Sequence, residues 1–206
     1  MGRLREFDDG KAVDAAIGCF WSRGYEATSV RDLAENMGIS GASLYNAYGD
    51  KRTLFATALA RYSESLMRER IQRLESGNKP KQAIRAFIGE IVERSVNDRD
   101  RKGCLLVNSA LDVAPHDAEI GRIIAGYLDE IRAFFRRNLV AAQAAGEVPA
   151  GLDAEDVSGH LLGVVAGIRV LARTSADPAL LAGAARPALA LLDFPKTKRT
   201  SNKKKE

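Results

Sequence analysis

Ser29-Val30-Arg31-Asp32-Leu33-Ala34-Glu35-Asn36-Met37-Gly38-Ile39-Ser40-Gly41-Ala42-Ser43-Leu44-Tyr45-Asn46-Ala47-Tyr48 is the stretch that decides how this chain is read. Ser29 with Asp32 three positions later is a capping-box pair that starts a short helix. Val30, Leu33, Ala34 and Met37 form the apolar face of that helix. Gly38 supplies the left-handed turn that ends it. Ile39 plugs the turn, and Ser40 caps a second short helix running to about Tyr48. Two short helices joined through a glycine turn have the layout of a helix-turn-helix. The second helix opens on Ser40-Gly41-Ala42-Ser43, small uncharged residues that let a helix end lie deep in a major groove. Periodicity alone fits a plain helical hairpin equally well.

Working outward, residues 8–24 read as a preceding helix, with Val13, Ala16, Ile17, Phe20 and Trp21 at helical spacing and Gly24 as its stop. Asp50 caps a fourth helix, 50–75, with Leu54, Phe55, Ala58, Leu59, Tyr62 and Leu66 on one face. Ser76 to Pro80 is the clearest break. Beyond it the spacing predicts a helix from Pro80 through Val92, one from Leu105 to Ala114, and a long one from Asp117 to Ala145. Two more follow, from Asp153 to Thr174 and from Asp177 to before Pro195. No segment alternates with period two. The expected fold is all-α: a three-helix head at 1–53, a helical body at 54–194, about nine helices in all, and a basic tail at 195–206.

The 206 residues are 46% hydrophobic, 28% charged and 6% aromatic, which suits a soluble helical protein. No secretory leader is visible, and the apolar run from Leu161 to Leu171, which Arg169 interrupts, is too short for a span of about 20 residues. The expected setting is cytoplasmic, with no membrane partner and with Cys19 and Cys104 as reduced thiols. The net charge of +4 misleads, because residues 195–206 hold six cations against Glu206 alone. The first 53 residues hold seven basic and eight acidic side chains, so global charge is weak support for nucleic-acid binding. The tail either adds non-specific affinity for DNA or is merely solvated.

The stretch Phe20-Trp21-Ser22-Arg23-Gly24-Tyr25-Glu26-Ala27-Thr28-Ser29, followed by Gly38-Ile39-Ser40, Leu44-Tyr45, Tyr48 and Lys51, resembles the head of the TetR family over residues 10–60. The resemblance implies a homodimer that binds a palindromic double-stranded operator, most often as a repressor released by a small-molecule inducer. It also implies site roles. Tyr45 and Tyr48 match aromatics that contact phosphate and groove, although Tyr48 also fits a core position. Lys51 matches a phosphate contact at a helix N-terminus, and Thr28 or Ser29 offers a hydroxyl to phosphate. Base reading falls to Ser40, Gly41, Ala42, Ser43 and Asn46, with Asn46 suited to adenine. The second helix of the pair carries no Arg or Lys, so phosphate contacts and DNA shape should weigh more.

In the body, Gly159, Gly163 and Gly167 recur every four residues, which suggests close approach of another backbone. The family's dimer interface fits this stripe, as does packing against the chain's own core. A mostly apolar ligand cavity is expected, lined by Phe87, Ile91, Leu111, Tyr127, Ile131 and Phe134. Cys104 follows Arg99, Asp100, Arg101, Lys102 and Gly103 and sits at a helix start. Both features lower a thiol's pKa and make it a candidate redox or electrophile sensor; a buried inert cysteine is the other reading. His116 and His160 are isolated, so no metal site is expected. No phosphate loop or nucleophile–base set is visible, so no cofactor and no enzymatic activity are expected. Two other functions fit parts of the chain: a helical ligand carrier, and an architectural DNA-binding protein working through its tail.

Overall fold

The computed structural model describes residues 8–193; the basic tail lies outside them. Among the described residues the chain is all-helical, with nine helices and no strand. Helix α1 is Asp9–Arg23, α2 Val30–Met37 and α3 Gly41–Tyr48. Helix α4 is continuous through Lys51–Ser63, a π-helical turn at Glu64–Arg68, and Glu69–Gly77. The body continues with α5 (Pro80–Val96), α6 (Leu105–Asp112), α7 (Ala118–Ala144), α8 (Ala154–Thr174) and α9 (Pro178–Ala190).

Most helix starts are set by local chemistry. Asp8, Ser29, Ser40, Asp50, Asp117, Asp153 and Asp177 each stand at an N-cap and accept backbone N–H groups that the helix leaves without partners. At α2 the capping box closes both ways: Ser29 accepts from the Asp32 N–H, and Asp32 accepts from the Ser29 N–H. Gly38 ends α2 at φ 67°, a left-handed conformation that a side chain strains.

The head packs on Phe20, whose ring meets Phe55 of α4 edge-on at 4.9 Å, while Tyr25 lies 4.8 Å from Phe55. The body packs around Phe87, Phe134 and Phe135, three fully buried rings within 5.3 Å of one another. Helix α6 ends at Asp112, two residues earlier than expected. Its inward face is Leu105, Leu106 and Ser109, so Leu111 points outward and is 64% exposed.

A clamp joins head and body. The Arg52 guanidinium, in the first turn of α4, donates to both oxygens of Asp117 at 2.5 and 3.0 Å and to Glu119 at 2.8 Å. Asp117 also caps α7, accepting the Glu119 and Ile120 N–H groups. These donors hold its carboxyl well below the usual carboxylate range, with Arg52 the largest cause.

Candidate nucleic-acid interface and effector cavity

Helix α3 carries two buried residues, Leu44 and Tyr48, and one open end. Leu44 is fully buried and fixes the helix on the head. Ser40, Ala42, Tyr45 and Asn46 are exposed, Tyr45 at 53%, while Gly41 and Ser43 are half-buried beside them. Ser40 accepts from the Ser43 N–H at 3.0 Å, and their hydroxyls lie 2.9 Å apart. This end is small, polar and uncharged, so nothing on it blocks entry into a groove.

Two expected contacts are corrected. Thr28 is fully buried, and its hydroxyl donates back to the Gly24 carbonyl at 2.6 Å, so it presents nothing to solvent. Tyr48 is 8% exposed, and its hydroxyl donates to Asp9 at 2.5 Å, which makes it a tie between α3 and α1. Ser29 is exposed at the start of α2, and Lys51 stands half-buried at the start of α4. The Lys51 ammonium lies 4.2 Å over the Tyr25 ring, a cation–π contact that aims it without neutralising it.

Elsewhere in the head the cations meet carboxylates: Arg23 with Asp32, Arg31 with Glu35, and Arg52 with Asp117. The near-neutral head inferred from the charge count has this local basis. Arg31, which the sequence reading did not single out, is 88% exposed in its pair, and such a surface pair holds weakly. A cation in the first turn of α2 was the available signal.

Asp32 is held down to about 2, chiefly by the Ser29 hydroxyl and N–H and then by Arg23. A depressed carboxylate stabilises the fold fully above its ordinary value of 3.8 and loses that contribution as pH falls through about 2. Asp32→Asn is therefore expected to melt lower than the parent at neutral pH and to converge with it in acid. A melting difference that stays constant with pH would contradict this.

In the body, an enclosed cavity of about 40 Å³ opens between α1, α4, α5, α6, α7 and α8. Ile91, Ile131, Leu66, Met67, Leu128 and Val165 give it apolar walls. Of the expected lining residues, only Ile91 and Ile131 stand there. Phe87 and Phe134 are buried behind it in the aromatic cluster, Tyr127 is half-buried away from the wall, and Leu111 faces outward. The sequence reading missed the polar wall: Trp21, Tyr62, Arg70, Arg94 and Arg169. Arg169 interrupts the apolar run from Leu161 to Leu171, which was an available signal, while nothing local marked Arg70 as inward.

Cys104 also lines the cavity and is 8% exposed. The Tyr62 hydroxyl points at its sulfur at 3.7 Å and accepts the Leu105 N–H at 3.4 Å. Burial and the neighbouring thiol push the Tyr62 hydroxyl pKa well above its ordinary value. The loop cations expected to act on Cys104 turn elsewhere: Lys102 pairs with Asp100, and Arg101 donates to the Thr174 carbonyl.

Gly159, Gly163 and Gly167 are exposed on α8, and a Cβ at any of them would meet nothing within 4 Å. The stripe is therefore not packed into the protomer's own core. Val170 and Leu180, 41% and 43% exposed, add apolar surface on α8 and α9. Among the described residues no helix is long and apolar enough to cross a membrane.

Comparison with known proteins agrees with this architecture. Residues 12–58 match the model for bacterial regulatory proteins of the tetR family, and residues 80–188 match the tetracyclin repressor-like C-terminal domain. An uncharacterized HTH-type transcriptional regulator of Bacillus subtilis, YezE, is 36% identical over 148 residues, 72% of this chain and 76% of its own length. The HTH-type transcriptional repressor ComR of Escherichia coli is 27% identical, covering 85% of this chain and 84% of its own. Among solved structures, the TetR family regulator CifR in complex with a 26-bp operator duplex superposes with a TM-score of 0.81 at 32% identity, over 93% of this chain and all of that one. The chain belongs to the TetR family of DNA-binding transcriptional regulators.

Proposed function

We propose that this protein is a repressor that binds a palindromic operator as a homodimer and leaves it when a small molecule or a thiol-reactive compound enters the α4–α8 cavity. The observation that carries this reading is the open end of α3, with Ser40 and Ala42 exposed, Gly41 and Ser43 half-buried between them, and Tyr45 and Asn46 exposed beside them. In the bound state Asn46 pairs with a base edge, adenine being the best match. Ser29, Tyr45 and Lys51 hold phosphates, with the positive ends of α2 and α4 behind Ser29 and Lys51. The glycine stripe on α8 lets a second protomer approach closely, which sets two heads against two half-sites. The name and operator complex of the relatives ComR and CifR support repression and operator binding.

The inducer acts by favouring one arrangement of the heads over the other. A thiol-reactive inducer reaches Cys104 from within the cavity. Cys104→Ser is expected to keep operator binding and lose release by N-ethylmaleimide; unchanged release would remove the thiol arm. The reading as a whole is tested by fluorescence anisotropy on a duplex from upstream of the protein's own gene, against a scrambled duplex, across a salt series. Selective binding supports it. Equal, steeply salt-dependent binding to both duplexes favours the architectural alternative through the basic tail.

A further inference from the structure

The cavity wall is rich in hydrogen-bond donors and poor in acceptors. Arg70 is 6% exposed, yet it makes no hydrogen bond among the described residues. Its one ion pair there, with Glu90 at 3.4 Å, uses a carboxylate that Arg73 already holds at 2.8 Å from outside. Arg169 is 8% exposed and donates only to neutral groups, the Ser95 hydroxyl and the Gly103 carbonyl. Arg94 stands exposed at the rim with no ion pair among the described residues. The Trp21 Nε1 is buried with no hydrogen-bond partner.

A buried guanidinium without a matched carboxylate is costly, and so is an orphaned indole N–H. Burial, then Arg94, pushes the Arg70 pKa down to about 10, and Arg169 repels it further. Three cations thus line one cavity that no carboxylate lines, and the one carboxylate paired with Arg70, Glu90, is shared with Arg73 from outside. An anion placed between them would relieve the repulsion and supply the missing acceptor.

We propose that this cavity binds a small organic anion, a carboxylate with a short apolar chain, gripped by Arg70, Arg94 and Arg169. The carboxylate takes charge-assisted hydrogen bonds from the guanidiniums, with Arg forks suited to two oxygens. The chain lies against Ile91, Ile131 and Val165. The cavity's volume of about 40 Å³ restricts the ligand to a few carbons unless the walls part. Trp21 gives the site its link to DNA: it belongs to α1 of the head, and its ring meets Tyr62 of α4 edge-on at 5.2 Å. A ligand here touches the head's own first helix. This inference rests on the reading of the cavity as the inducer site and names the chemistry that fits it.

Trp21 is the chain's one tryptophan, so its emission reports the site directly. The test titrates the full chain, without DNA, with butyrate, butyramide and butan-1-ol at constant ionic strength, with calorimetry alongside to detect binding that leaves emission unchanged. Butyrate should bind saturably, and the neutral isosteres at least about tenfold more weakly. Arg94→Gln, at an exposed position the fold tolerates, should weaken butyrate about tenfold, and Arg70→Met more. Equal binding of all three compounds would overturn the proposal. So would the absence of saturable butyrate binding, or full affinity in Arg94→Gln and Arg70→Met. Because no DNA is present, failure of operator recognition leaves this result untouched.

Discussion

Tyr45→Ala is expected to weaken operator binding about a hundredfold while leaving the melting temperature unchanged. Tyr45 is 53% exposed, so the fold loses little when it is cut back. On DNA it is the largest side chain at the open end of α3. One lost contact to a charged phosphate amounts to about 1.5 kcal/mol. A dimer loses it twice, and about 1.4 kcal/mol corresponds to a factor of ten. Tyr48→Phe should behave in the opposite way. It removes the hydrogen bond to Asp9, so it should lower stability modestly and affect DNA binding only through the head's rigidity. Melting curves and anisotropy on the same two proteins separate these effects. Equal loss of DNA binding in both variants with unchanged melting would contradict the assignment of Tyr45 outside and Tyr48 inside.

Gly163→Leu is expected to have the second large effect, converting the dimer to protomers and abolishing operator binding with it. In the protomer a Cβ at Gly163 meets nothing within 4 Å, and leucine is the better helix former by about 0.8 kcal/mol. The isolated chain should therefore tolerate the change or gain from it. Across a two-fold interface the same leucine enters twice. Overpacking costs about 1–3 kcal/mol per site, so the dimer should weaken by about thirtyfold or more. Sedimentation velocity would show a species of one protomer's mass. A variant that stays dimeric would move the interface off the α8 stripe.

The parts of the molecule legible in the sequence are those fixed by neighbours in the chain. The capping box at Ser29 and Asp32, the left-handed Gly38, the Ser40 cap and the Asp50 cap all follow from chemistry within four residues. The parts that were misread depend on distant partners. Thr28 sits beside a helix cap and reads as exposed, but folding turns its hydroxyl back onto Gly24. The partner of Tyr48 lies 39 residues away in α1. Leu111 shares the apolar character of its helix, and only the packing of α6 shows that Leu105, Leu106 and Ser109 face inward. The arginines are the clearest case. Arg70 reads as a surface charge in its local window and Arg169 as an interruption of an apolar run, and their burial around one cavity emerges from six helices meeting.

The central claim is that this chain reads a two-fold DNA sequence through α3, and it is tested most directly by selection from a pool of random duplexes with the pure protein. The account predicts enrichment of one inverted repeat with half-site centres about one helical turn, or a multiple of it, apart. It also predicts two protomers or a multiple of two on each selected duplex, and no enrichment by Tyr45→Ala. Recovery of unenriched duplexes by the parent protein, or of a single asymmetric site bound by one protomer, would contradict it.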